Sequence, residues 1–160
     1  SEFIEQFGGH KYAAGLTLLE ANYGKFKAQF EKVVSETIDP KLLIPEISID
    51  SQLNLTDITP KFYRIISQFA PFGPGNMTPV FMTEDMQDTG YGKQVGEDKT
   101  HLRLTATQNG KGKLVGIGFG LGDQTELIKN KKTFKAAYTI DENEWNGNVS
   151  LQLKLKDIKP

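Results

Sequence analysis

The chain has 160 residues, 38% of them apolar, a formal net charge of −1 and no cysteine. That is enough for one full domain plus part of another, and the near-neutral charge excludes a broadly basic nucleic-acid binder while allowing local basic patches. Disulfide frameworks and thiolate metal sites are excluded, no apolar run nears the roughly 20 residues that span a bilayer, and residues 1–20 lack the features of a signal peptide. The expected setting is a reducing cytoplasm with no membrane partner.

Residues 1–7 read as the last turns of a helix, ended by Gly8-Gly9 as cap and turn. With no methionine start and a motif so near the first residue, the chain is expected to be an excised fragment. Residues 10–15 are small and predict a short helix, and Leu16-Thr17-Leu18-Leu19 a buried strand. From Asn22, a potential N-cap, the pattern is helical: Tyr23, Phe26, Phe30, Val33 and Ile38 share a face, and Asp39-Pro40 ends the run. The stretch 40–46, with Pro40 and Pro45, is the expected boundary between a first domain (1–44) and a second (45–160).

Ile47, Ile49, Leu53 and Leu55 alternate with polar residues as a half-buried strand does. Thr59-Pro60 is an N-cap followed by proline at the first helical position, and Phe62, Ile65, Ile66 and Phe69 form that helix's apolar stripe. Strands are then predicted at 80–87, around Leu102, Leu104 and Ala106, around Val115, Ile117 and Phe119, around Phe134, Ala136, Tyr138 and Ile140, and along Val149, Leu151, Leu153 and Leu155. A short helix at about 123–130 separates the third from the fourth, and Asn146-Gly147-Asn148 turns the last pair. Five strands with a helix between the third and fourth is the layout of an OB-fold barrel. Phe81, Phe119, Phe134 and Tyr138 are assigned to its core.

Gly8-Gly9-His10 has two readings: a helix end with an incidental histidine, or one wall of an anion site, where glycines let a phosphate approach the backbone and His10 adds a hydrogen bond or charge. Pro71-Phe72-Gly73-Pro74-Gly75-Asn76 reads as a rigid turn with Phe72 in the core, because the glycines follow a helix end and Pro74 removes a donor. Strand parity turns Arg103, Lys135, Lys154 and Lys156 outward as a basic face, and Tyr91 and Trp145 occupy loop-like positions where they could stack on bases. The competing reading of those lysines is ordinary solvation. With only His10 and His101 as histidines, far apart in sequence, the chain offers no catalytic residue and no metal-ligand set, and alone it is expected to be inactive.

Three blocks carry a family resemblance: Gly8-Gly9-His10 with Ala13-Ala14-Gly15-Leu16-Thr17, the 71–76 loop running into Met77-Thr78-Pro79-Val80-Phe81, and the late hairpin 141–158. The first resembles the GGH motif of DHHA1 domains. Together they resemble the C-terminal part of RecJ-type single-stranded-DNA exonucleases of the DHH phosphoesterase superfamily, which often have proline where Met77 stands. The resemblance implies an α+β chain: the end of a DHHA1 domain followed by a five-stranded OB-fold barrel. It implies that Gly8, Gly9 and His10 contact substrate phosphate opposite metals held by a DHH domain absent from this chain. It further implies Mn²⁺ or Mg²⁺ in the full-length enzyme, 5′ to 3′ digestion in DNA repair and recombination, and partners comprising single-stranded DNA, the DHH domain and single-strand-binding or other repair proteins. The alternatives are a structural or protein-interaction barrel without DNA contact of its own, and the tail of another DHH phosphoesterase.

Overall fold

The computed structural model describes residues 2–160, which form two compact units divided between Glu46 and Ile47. In the first, β1 (Gln6–His10) and β2 (Ala13–Thr17) make an antiparallel hairpin around Lys11-Tyr12, followed by helix α1 (Tyr23–Thr37). This corrects the expected N-terminal helix end and the short helix at 10–15. Gly8-Gly9 is not a cap: it pairs with Gly15 and Ala14 across the hairpin. A Cβ at Gly9 would sit 2.4 Å from the Ala13 carbonyl oxygen, so this pairing requires glycine there. Asn22 makes no capping bond, because a single 3₁₀ turn (Glu20–Asn22) leads into α1 instead. None of the described residues of this unit is buried.

The second unit holds the core. The run expected as a strand from Ile47 to Leu55 is mostly irregular. Only β3 (Ser51–Gln52) pairs, in parallel with the start of β4 (Phe81–Asp88), and Leu55 enters the core from a 3₁₀ turn. Helix α2 (Pro60–Ser67) starts as its sequence predicts, the Thr59 hydroxyl accepting from the Phe62 N–H at 3.2 Å.

The remaining elements are β5 (Lys93–Val95), β6 (His101–Gln108), β7 (Lys111–Gly118), α3 (Thr125–Ile128), β8 (Phe134–Trp145) and β9 (Asn148–Lys159). β4 pairs with both β6 and β8, β6 with β7, β7 in parallel with β9, and β9 with β8. Pairing therefore runs in a closed ring, β4-β6-β7-β9-β8, with α3 between the third and fourth strands. That is the expected OB arrangement, with β3 and β5 added at its margins. Asn109-Gly110 and Asn146-Gly147 turn the two long hairpins, all four residues at positive φ as a type I′ turn demands.

Leu102, Leu104, Ala106, Phe134, Ala136, Tyr138, Leu153 and Leu155 fill the interior. On β7 the alternation runs opposite to the expectation. Gly116 and Gly118 face inward, because a Cβ at Gly116 would lie 3.0 Å from Leu104 Cδ1 and one at Gly118 2.7 Å from Leu121 Cδ1. Val115 and Ile117 are therefore only partly buried, and Phe119 is 65% exposed rather than part of the core.

At the centre, the Thr83 hydroxyl lies 2.8 Å from the Leu53 carbonyl oxygen, to which it donates, and 2.5 Å from the Tyr138 hydroxyl. Burial pushes the Tyr138 phenol up to about 12, with the Asp57 carboxylate acting in the same direction. The fold keeps this group neutral while the unfolded chain ionises it near pH 10. The contribution of this group to stability is thus constant below pH 10 and falls between pH 10 and 12, by on the order of 3 kcal/mol. Urea unfolding across that range checks this, and Tyr138→Phe should remove most of the drop.

Candidate nucleic-acid interface

In the first unit, His10 closes the β1–β2 hairpin: its Nδ1 accepts from the Tyr12 N–H at 3.2 Å. A ring nitrogen that accepts carries no proton, so in neutral His10 the proton sits on Nε2. Lys11 Nζ lies 5.4 Å from the centre of the Tyr12 ring, and His10, Lys11 and Tyr12 are all exposed. Gly8 differs from Gly9 in having open space where a Cβ would be. Gly9→Ala should therefore open the hairpin, at a local cost on the order of 2 kcal/mol, whereas Gly8→Ala should leave it intact. Amide hydrogen exchange across β1 and β2 measures the difference.

In the second unit, β-sheet register gathers the basic residues. Lys93 on β5 is opposite Arg103 on β6, Arg103 opposite Ile117 on β7, Ile117 opposite Lys154 on β9, and Lys154 opposite Thr139 on β8. Residues directly opposite share a face, and strands lie about 4.8 Å apart, so Lys93, Arg103 and Lys154 mark a row roughly 14 Å long on the outer wall of the barrel. The next row holds Thr105, Val115, Gln152 and Asp141.

Lys156 is the extra residue of a bulge on β9, where Ala137 faces Asp157 and Tyr138 faces Leu155. Bulges re-aim side chains, and Lys156 stays exposed on the side of Lys154. Lys154 is tied to Asp141 at 2.5 Å across a half-exposed surface. Such a pair contributes about 1 kcal/mol or less, so Lys154 is readily exchanged to an incoming anion.

Two residues of this face were missed in the sequence. Lys93 falls outside every strand the sequence predicts, and only its pairing with Arg103 puts it on the row. Phe119 follows β7 and packs edge-on against His101, with ring centres 5.0 Å apart. The His101 Nδ1 accepts from the Gly120 N–H at 3.2 Å, which holds this corner in place.

The other predicted residues sit apart from the row. Tyr91, 75% exposed, lies in the 89–92 excursion between β4 and β5. Trp145, 73% exposed, precedes the β8–β9 turn and pairs with Asn148, six residues along β9 from Lys154. Lys135 is elsewhere on β8, opposite Lys159 and lining a pocket with Glu84 and Asp85.

Asp88, 5% exposed, organises the 89–92 excursion. Its Oδ2 accepts from the Gly90 and Gly92 N–H groups at 2.7 and 2.8 Å, and its Oδ1 from the Thr105 N–H at 2.9 Å. One carboxylate thereby fixes the loop carrying Tyr91 and the start of β5 carrying Lys93. Among the described residues no three His, Asp or Glu side chains come together as a set that could hold a metal.

The model of the RecJ OB domain matches residues 49–157. The single-stranded-DNA-specific exonuclease RecJ of Salmonella typhimurium is 31% identical over 160 residues, covering 99% of this chain and 27% of that protein. RecJ of Bacillus subtilis is 27% identical over 158 residues, covering 98% of this chain and 20% of that protein. The chain thus spans about a quarter of the length of the curated relatives it matches, in their C-terminal part. Crystal structures of Thermus thermophilus RecJ in complex with Mn²⁺ and with Mg²⁺ share the fold, each with a TM-score of 0.74, at 24% and 26% identity. They are covered to 22% and 24% of their length, and this chain to 99%. With its OB barrel matched over most of its length, the chain belongs to the RecJ family.

Proposed function

We propose that the barrel is the single-strand-binding part of a RecJ-type exonuclease, guiding DNA by its backbone along Lys93, Arg103 and Lys154. The observation that carries this reading is the row itself: three cations on one outer face of β5, β6 and β9, in the part of an OB fold that takes oligonucleotides. Phe119, Tyr91 and Trp145 are exposed aromatics of this unit that could stack on bases. Single-strand binders pair such platforms with a charged groove.

In the same reading residues 1–44 are the end of a DHHA1 domain. Gly8, Gly9 and the Nε2 side of His10 contact a substrate phosphate, and the exposed apolar residues of the unit, Phe7 and Phe30 among them, meet the rest of the enzyme. The metal chemistry, with Mn²⁺ or Mg²⁺ and 5′ to 3′ polarity, resides in a DHH domain outside this chain. A role in DNA repair and recombination follows from that activity.

Binding of the chain to a labelled single strand and to the matching duplex over a salt series tests the reading. Single-strand preference with a log–log slope of about −2 to −3 corresponds to three or four neutralised phosphates. Absence of binding at low salt would favour a protein-docking barrel, a reading supported by the net charge of −1 and the pairing of Lys154 with Asp141.

A further inference from the structure

The 71–76 loop has no part in the row, and its sequence predicts Phe72 in the core. In the structure the loop is a self-contained clasp. Gly73 and Asn76 exchange both backbone hydrogen bonds at 2.9 Å, and the Asn76 side-chain amide donates to the Phe69 and Pro71 carbonyls at 2.8 and 3.0 Å. The clasp holds Phe72 half-buried against a cavity of about 360 Å³ on the barrel's outer wall. Tyr63, Ile66 and Phe72 form its apolar side, and Asp141, Lys154 and Lys156 its polar side.

This volume lies within the range of small-ligand sites. An aromatic wall facing two ammonium groups and a carboxylate is the chemistry that receives an unstacked base with its phosphate: the ring takes the base face, the cations the phosphate, and the carboxylate an exocyclic amino group. Position supports the same occupant. Lys154 belongs both to the cavity and to the Lys93–Arg103 row, so a strand following the row arrives at the cavity's edge. Lys156 has no ion-pair partner among the described residues and is placed here by the β9 bulge.

We propose that this cavity is a nucleotide subsite, holding one nucleobase out of the stack while Lys154 and Lys156 hold its phosphate. The proposal rests on the reading of the outer face as a single-strand interface. It gives the 71–76 loop a task, which is to present Phe72 as the rigid wall of the subsite.

The test compares two probes of equal length and charge, an eight-nucleotide deoxycytidine strand, whose bases carry an exocyclic amino group, and the same backbone fully abasic. Fluorescence anisotropy measures both on the wild-type chain, on Phe72→Ala and on Ser67→Trp, which fills the cavity from an exposed position on α2. Wild type should prefer the strand that carries bases. Both variants should cut that preference about tenfold, the scale of one stacked base, while affinity for the abasic backbone and its salt slope stay unchanged. Should Phe72→Ala lose the fold, as its unfolding midpoint would show, Ser67→Trp decides alone. An unchanged preference in the folded variants would overturn the subsite while leaving salt-dependent binding along the row intact. If wild type bound neither probe at low salt, the interface reading itself would fail and the subsite with it.

Discussion

Asp88→Ala is expected to cost the barrel about 3–4 kcal/mol and to lower its melting temperature by roughly 10 °C. Asp88 is buried and forms no ion pair among the described residues. Its stabilising role comes from accepting three backbone N–H groups, those of Gly90 and Gly92 in the 89–92 excursion and that of Thr105 on β6. Hydrogen bonds to a charged acceptor contribute about 1.5–3 kcal/mol each, and orphaned buried donors are costly. The three bonds are not additive, since the loop can open and re-solvate Gly90 and Gly92 once the carboxylate is gone. Asp88→Asn should cost about half as much. Its single carbonyl can keep the two glycine donors, while its amide would face the Thr105 N–H donor to donor. Urea unfolding gives the stability difference, and amide exchange at Gly90, Gly92 and Thr105 locates it. Unchanged exchange at these three amides would refute the assignment.

Arg103→Glu combined with Lys154→Glu should weaken single-strand affinity about 100-fold at 0.1 M salt and flatten the salt slope by about 1.5. Both side chains are exposed and on the same cross-strand row, so the effect should reside in binding and not in folding. Lys154→Glu also sets a second carboxylate beside Asp141. Lys154→Gln separates loss of the cation from that repulsion, and about a tenfold loss is expected from it alone. Reversal of Lys135, which lies by Glu84 and Asp85 away from the row, should change affinity little. Equal losses from all three positions would indicate a diffuse electrostatic effect, and no loss from any would favour the protein-docking barrel.

Much of the fold was legible because local rules and tertiary packing agree. Thr59-Pro60 starts α2 where the capping rule puts it, since both groups act within one turn. The β8–β9 hairpin follows from Asn146-Gly147 between two alternating runs, where turn chemistry and the apolar face specify the same register. The N-terminal hairpin was misread because its apolar residues are few and exposed, so no period announced the strands. Gly8-Gly9 resembles a cap and a strand equally well until its partner is known.

The outward direction of Arg103 and Lys154 was set by the sequence alone, through period-2 alternation beside Leu102, Leu104, Leu153 and Leu155. So was the order of strands and helix that makes an OB barrel. The placement of Lys156 depends instead on the β9 bulge. Which cations share a row was decided only by the tertiary structure, because Lys93, Arg103 and Lys154 are brought together by pairings between distant segments. The inversion of β7 has the same origin. Period-2 alternation says that two faces differ but not which one is inside; Leu104 and Leu121 occupy the space that side chains at Gly116 and Gly118 would need, and Phe119 is left facing solvent.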